Sequence, residues 1–147
     1  LIPKDLNLKP VGRLDKDSEG LLLMSNDGEF INKMTHPSNI CEKEYLVKIS
    51  GSLTKEDLEE LENGINLEGK MTAPAKIMIE DIKNDKTRLR ITIHEGRNRQ
   101  IRKMFAQLNY PVKYLQRIRI GTIRIGSLKQ GTFRHLTENE IKCSLAS

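Results

Sequence analysis

Three short segments of this chain gather side chains that could do chemistry. Gly12-Arg13-Leu14-Asp15 sets a carboxylate two residues from a guanidinium, Lys43-Glu44-Tyr45 sets a phenol in an alternating stretch, and Glu95-Gly96-Arg97-Asn98-Arg99-Gln100-Ile101-Arg102-Lys103-Met104 joins a glycine turn to a cation-rich helix start. A carboxylate can add to a carbon centre as a nucleophile and leave again. A tyrosine ring can stack on a planar base. The first turn of a helix offers unpaired N–H groups and the positive end of its dipole, an arrangement that suits phosphate. Each feature also has an ordinary explanation. An exposed Asp–Arg pair contributes about 0 to 1 kcal/mol, and a strand tyrosine commonly packs its ring with the hydroxyl at the edge.

Charge is distributed unevenly along the chain. The net charge of +5 is modest, but residues 1–95 are net acidic, whereas residues 96–137 carry Arg97, Arg99, Arg102, Lys103, Lys113, Arg117, Arg119, Arg124, Lys129 and Arg134 without a single carboxylate. Cations kept together without acidic neighbours in the sequence point to a polyanion, with nucleic acid favoured over a merely solvated basic face.

Other chemistries find less support. Asp15-Lys16-Asp17-Ser18-Glu19-Gly20 imitates the start of a calcium loop, but Asn26 stands where the bidentate glutamate should be. His36, His94 and His135 are far apart, and Cys41 and Cys143 are isolated, so zinc-ligand spacing is absent. No metal or cofactor is expected. Glycines 121, 126 and 131 do not make a phosphate loop.

The elements that must position these groups follow from periodicity and turn residues. Leu21–Ser25 reads as a buried strand ended by Asp27-Gly28, and Glu29–Thr35 as a short helix with Phe30, Ile31 and Met34 inward, stopped by Pro37. Lys43–Ser50 alternates Tyr45, Val47 and Ile49 against polar neighbours, a strand with one wet face. Thr54 and Asp57 open a helix carrying Leu58 and Leu61, for which Gly64 supplies a left-handed stop. Ala75–Ile82 and Thr87–His94 form a hairpin about Asn84-Asp85. Asn98 is expected to cap a helix reaching Leu108, with Ile101, Phe105 and Leu108 inward. Strands at Val112–Ile120 and Thr122–Ile125 and a final short helix opened by Thr137 and Glu140 complete the chain. Strands and hairpins predominate, which predicts an α+β fold with a mainly antiparallel mixed sheet flanked by short helices.

The 147 residues suit one domain, expected to span 1–147. No run approaches the 18 or so apolar residues of a membrane span, no secretory signal is evident, and the isolated cysteines fit a reducing compartment. A cytoplasmic protein is expected. The chain begins at Leu1, so a longer protein is expected to contain it.

The three segments, in this order, resemble the RsuA-like family of bacterial ribosomal RNA pseudouridine synthases. Gly12-Arg13-Leu14-Asp15, with Gly20-Leu21-Leu22-Leu23 and Asp27-Gly28 behind it, is similar to the family's catalytic motif. Lys43-Glu44-Tyr45 is similar to its tyrosine motif, Glu95–Arg102 to its third motif, and Arg117-Ile118-Arg119-Ile120-Gly121 to its late strand. The resemblance covers nearly the whole chain and implies the pseudouridine synthase fold, truncated at its N-terminus, with a small S4-type RNA-binding domain and a Lys-Pro-x-Gly strand segment outside this sequence. It implies isomerisation of a uridine in ribosomal RNA, with Asp15 as nucleophile on a flipped-out nucleotide, Tyr45 against the base and Arg102 paired with Asp15. Arg13, Arg97, Asn98, Arg99, Gln100, Lys103, Arg117 and Arg119 would contact RNA, Arg13 by helping to hold the gap left by the flipped nucleotide. A sheet edge left without its neighbour could pair with a second copy. Two alternatives stand beside this reading: a ribosomal RNA-binding module without chemistry, and a hydrolase that releases the base.

Overall fold

The computed structural model describes residues 7–36 and 41–146, with side chains as far as Lys142. Its centre is a sheet in the order β10-β9-β4-β8-β7, formed by Ile123–Arg124 (β10), Val112–Ile120 (β9), Lys43–Ser50 (β4), Lys86–Ile93 (β8) and Lys76–Lys83 (β7). The pairings along this path are antiparallel, and β2 (Glu19–Gly20) adds a parallel strand to β9. The α+β architecture with a mixed, mainly antiparallel sheet is as expected.

Alternation in the sequence decides which face is covered. Val47, Ile49, Leu89, Ile91 and Leu115 point to one side and are nearly inaccessible to solvent. Onto that side pack Leu61 of α2 (Lys55–Asn63) and Ile101, Met104 and Phe105 of α3 (Gln100–Gln107), making the larger core. A smaller core joins Val11, Leu21, Leu23, Ile120 and Ile123 to Phe30 and Met34 of α1 (Gly28–Thr35). Fully burying a side chain of this size stabilises the fold by about 1.5 to 3 kcal/mol, so the two clusters hold the sheet to its helices. The open edge of β7 carries Lys76, Glu80 and Lys83 and a bulge between Ile79 and Asp81. Both features work against pairing with a second copy.

Several boundaries were legible in advance. The β7–β8 turn has Asn84 and Asp85 at φ 54° and 58°, as a two-residue hairpin demands. Thr54 Oγ1 accepts a hydrogen bond from Asp57 N at 3.2 Å, and Thr137 and Glu140 cap the last helix, α4 (Glu138–Ala146), reciprocally at 3.1 and 2.9 Å. Pro37 lies outside the described residues, and α1 ends with the His36 N–H bonded to Asn32 O.

Other expectations are corrected. Of the strand read at Leu21–Ser25, only β3 (Leu23–Ser25) is strand, and it pairs with β1 (Lys9–Val11). Lys9-Pro10-Val11-Gly12 has the Lys-Pro-x-Gly form, so the segment expected outside this sequence lies within it, as β1 and the glycine that follows. Just ahead of Leu21, the unforeseen β2 pairs with β9. Gly20 makes the junction possible, because a Cβ there would lie 2.3 Å from Arg117 O. Gly64 ends α2 at φ 108° and ψ 141°, which is not the left-handed helical cap. Its role is a close approach, since a Cβ would fall 2.4 Å from Thr72 O. A short ribbon, β5 (Asn66–Leu67) with β6 (Lys70–Met71), follows. Asn98 does not cap α3. The capping position is Arg99, itself left-handed at φ 52°, and it makes no side-chain cap bond. A tight turn precedes it, with Gln100 N bonded to Arg97 O at 3.1 Å, so the helix begins later than the Asn98 signal implied.

Candidate active site

Asp15 sits in the loop between β1 and β2. Its carbonyl accepts a hydrogen bond from Ser18 N at 3.0 Å, closing a turn, and β2 fixes the far end of the loop against β9. Tyr45 lies near the start of β4 on the covered face, with Ile91 and Arg117 as its cross-strand neighbours. The turn before α3 forms the remaining wall. These three segments, 30 and about 55 residues apart in sequence, converge on one open cavity of about 280 Å³ whose lining includes Arg13, Asp15, Tyr45, Gly96, Asn98 and Arg99.

The loop is tied to α3 by Asp17. Arg99 Nη1 and Nη2 donate to Asp17 Oδ1 and Oδ2, both at 2.8 Å, a fork-on-fork pair. Arg102 Nη2 donates to the Asp17 carbonyl at 2.6 Å, and its Nε lies 3.6 Å from Asp17 Oδ2. The Arg99 hydrogen bond, helped by the charge of Arg102, holds the Asp17 carboxyl down at about 2. Arg99 is raised in turn by its bond to Asp17 and, less strongly, by the charges of Asp17 and Asp15. The pairing expected between Arg102 and Asp15 is therefore corrected. Arg102 grips Asp17, and Arg99, also held by Asp17, lines the cleft with Asp15.

The other sequence-derived residues divide between the cleft and the scaffold. Arg13 and Asn98 line the cleft and are exposed. Arg97 also lines it, but its guanidinium donates to the carbonyls of Leu67, Lys70 and Met71, locking the β5–β6 ribbon. Lys103 pairs with Glu68 at 2.7 Å, and Arg119 with Glu44 at 3.1 Å. Gln100 is 3% exposed: its amide donates to Glu95 Oε1 at 3.0 Å and its oxygen accepts from Arg97 N at 3.3 Å. It shapes the turn from within. Arg117 is 4% exposed and donates from Nε to Leu21 O at 2.8 Å, holding the β2–β9 junction from the interior. A surface contact with RNA is closed to both residues in this conformation. The sequence gives Asp17 no role beyond the calcium-loop imitation, and Lys43 enters only as the head of the tyrosine segment.

With this geometry in place, likeness to known proteins decides the family. The model of the RNA pseudouridylate synthase family matches residues 2–107. This chain belongs to the RNA pseudouridylate synthase family. It is 45% identical over 135 residues to ribosomal large subunit pseudouridine synthase B of Bacillus subtilis (strain 168), covering 90% of this chain and 55% of that protein. It is 38% identical over 132 residues to the dual-specificity RNA pseudouridine synthase RluF of Escherichia coli (strain K12), covering 90% and 44%. A solved pseudouridylate synthase superposes with a TM-score of 0.84 at 38% identity, covering 94% of this chain and 59% of the other. The chain thus spans about half the length of the curated relatives it matches. An H/ACA RNP structure bound to a substrate RNA, at 20% identity and a TM-score of 0.61, shares the fold.

Among the described residues of this pseudouridylate synthase family member, no group of three or more His, Cys, Asp or Glu side chains could hold a metal ion. Nor is any helix there long and apolar enough to cross a membrane.

Proposed function

We propose that this chain is the catalytic domain of a longer cytoplasmic enzyme that converts a uridine of ribosomal RNA to pseudouridine, with Asp15 as nucleophile. The observation that carries the reading is the convergence of Asp15, Tyr45 and the turn before α3 on one cleft. The names of the relatives point the same way. Pseudouridine formation breaks the bond between C1′ and N1, turns the base, and joins C1′ to C5. The C5 proton is lost and N1 gains one, so the reaction is redox-neutral. Asp15 can bond to the sugar or the base and leave again, which permits the turn without loss of the base.

The nucleotide must leave its stack to reach the cleft, at a cost of a few kcal/mol. Stacking on Tyr45, about 1 to 3 kcal/mol, and contacts from Arg13, Asn98 and Arg99 to the backbone offset that cost. Arg99 holds Asp15 in an electropositive setting while remaining tied to Asp17, so the nucleophilic loop arrives already placed. An S4-type domain outside this chain would add RNA affinity without changing this chemistry.

Ribosomal RNA transcribed with [5-³H]uridine tests the reading, because pseudouridine formation releases the label from C5. The wild type is expected to release tritium and Asp15→Asn to release none, while both bind the transcript alike. Tritium release unaffected by Asp15→Asn would overturn the assignment. Binding without release by the wild type would favour a non-catalytic RNA-binding module, and free uracil a base-releasing hydrolase.

A further inference from the structure

Two cations, Arg117 buried and Lys43 half-buried, flank Tyr45 with no ion pair to a carboxylate among the described residues. Lys43 lies two residues before Tyr45 on the same face of β4, with Ile93 as its partner on β8. Its Nζ lies 3.3 Å from where a Cβ on Gly96 would be. Gly96, Tyr45 and Ile93 line the cleft, so the ammonium lies against its Gly96 wall, although Lys43 itself is not a lining residue. Arg117 faces Tyr45 from β9, and its Nη2 is buried with no hydrogen-bond partner.

The carboxylates that could neutralise this pair are engaged elsewhere. Glu42 and Glu44 bond Lys76, Arg119 and Arg124, and Glu95 accepts from Ala73 N and Gln100. Among the described residues, the Lys43 ammonium has neither an ion pair nor a hydrogen bond. An uncompensated buried charge is costly to keep. A buried guanidinium and a half-buried ammonium beside one cleft, neither in an ion pair, are explained if an anion forms there during turnover.

We propose that Lys43, backed by Arg117, stabilises the uracil anion released when the glycosidic bond breaks, its ammonium donating a hydrogen bond to a carbonyl oxygen of the base. This rests on the synthase reading above. The bond between C1′ and N1 breaks with its electron pair passing to the base, as C1′ bonds to Asp15. The negative charge spreads over N1 and the two carbonyl oxygens, facing a preorganised cation in a partly dry site. After the base turns, C5 attacks C1′, the Asp15 carboxylate leaves with its pair, C5 loses its proton to solvent and N1 gains one. Lys43 stays protonated throughout.

That requirement makes the pH profile informative. Burial pushes the Lys43 ammonium below its usual range, with the charge of Arg117 acting in the same sense and Cys41 opposing. Asp15, Arg97 and Arg99 are the charged residues lining the same cleft near Gly96. The charged form is present below this pKa and lost as pH rises through it, so the wild-type rate should fall on the alkaline side. An arginine at position 43 would remain charged there.

Single-turnover tritium release from [5-³H]uridine ribosomal RNA, measured with RNA binding and thermal melting, tests this. Lys43→Met is expected to slow release about 100-fold, as for loss of one oxyanion donor, with RNA affinity within about 3-fold of wild type. Lys43→Arg should restore most of the rate and move the alkaline limb upward. A wild-type rate in Lys43→Met, or a loss of binding equal to the loss of rate, overturns the role. So does an unmoved alkaline limb in Lys43→Arg, which decides the matter alone if Lys43→Met does not fold. An inactive wild type would instead refute the synthase reading.

Discussion

Gly20→Ala should destabilise the protein severely by detaching the Asp15 loop from the sheet. The new methyl would sit 2.3 Å from Arg117 O and 2.5 Å from Arg117 N, and both are main-chain atoms that cannot swing aside. Separating the strands would break the Leu21 N–H bond to Arg117 O, at 2.8 Å, a loss of about 1 kcal/mol. It would also pull Leu21 O from the buried Arg117 Nε, at 2.8 Å, a bond from a charged donor contributing roughly 1.5 to 3 kcal/mol. Holding alanine at φ +114° adds strain of about 1 to 3 kcal/mol. Relaxation relieves part of one cost by incurring another, so the expected loss is about 4 kcal/mol, a large share of the 5 to 15 kcal/mol typical of a domain. Urea unfolding followed by circular dichroism should show the midpoint falling by about 2 M at a slope of about 2 kcal/mol/M. A midpoint within about 0.3 M of the wild type would refute the account of the β2–β9 junction.

Asp17→Asn removes the charge that ties Arg99 and Arg102 to the loop carrying Asp15. Pseudouridine formation should fall about 10- to 100-fold, the scale expected of a misplaced catalytic group, while RNA affinity holds or rises. Because the Asp17 carboxyl is depressed to about 2, its stabilising contribution is present above the ordinary carboxylate range and fades as pH falls toward 2. Acid titration of stability in that window should be flatter in Asp17→Asn than in the wild type. Glu68→Gln releases Lys103 from its 2.7 Å ion pair. The dependence of RNA affinity on salt should steepen by about 0.7 in log–log slope if the freed lysine meets a single-stranded phosphate, and an unchanged slope would place Lys103 away from RNA.

What the sequence discloses is local pattern. Val112–Ile120 and Lys43–Ser50 were bounded correctly because alternation and flanking turn residues are properties of a short window. The parallel pairing of Glu19 with Gln116 joins residues nearly a hundred positions apart through two residues of strand, and no local pattern records it. Strands β5 and β6 escape a reading of the sequence for a related reason: two residues carry no periodicity. In the site, the motifs identified the Asp15, Tyr45 and α3 segments. They did not reveal which carboxylate Arg102 meets. Asp15 and Asp17 share a residue type and a loop, and a displacement of a few ångströms decides between them.

The basic run from Gly96 to Thr137 shows the same limit in its electrostatics. Without acidic neighbours in the sequence, its ten cations looked free for a polyanion. Folding brings carboxylates to most of them from other segments: Asp17 to Arg99 and Arg102, Glu68 to Lys103, Glu44 to Arg119 and Arg124, and Glu140 to Arg134. Arg97 and Arg117 are committed to main-chain carbonyls. Among the described residues, only Lys113 and Lys129 of the ten lack such partners. A phosphate reaching this face must therefore displace a carboxylate at most positions, and each exchange yields less than binding a free cation would. Such exchange favours RNA that presents phosphates in the geometry the carboxylates now occupy, so the internal pairs weaken nonspecific attraction more than specific docking.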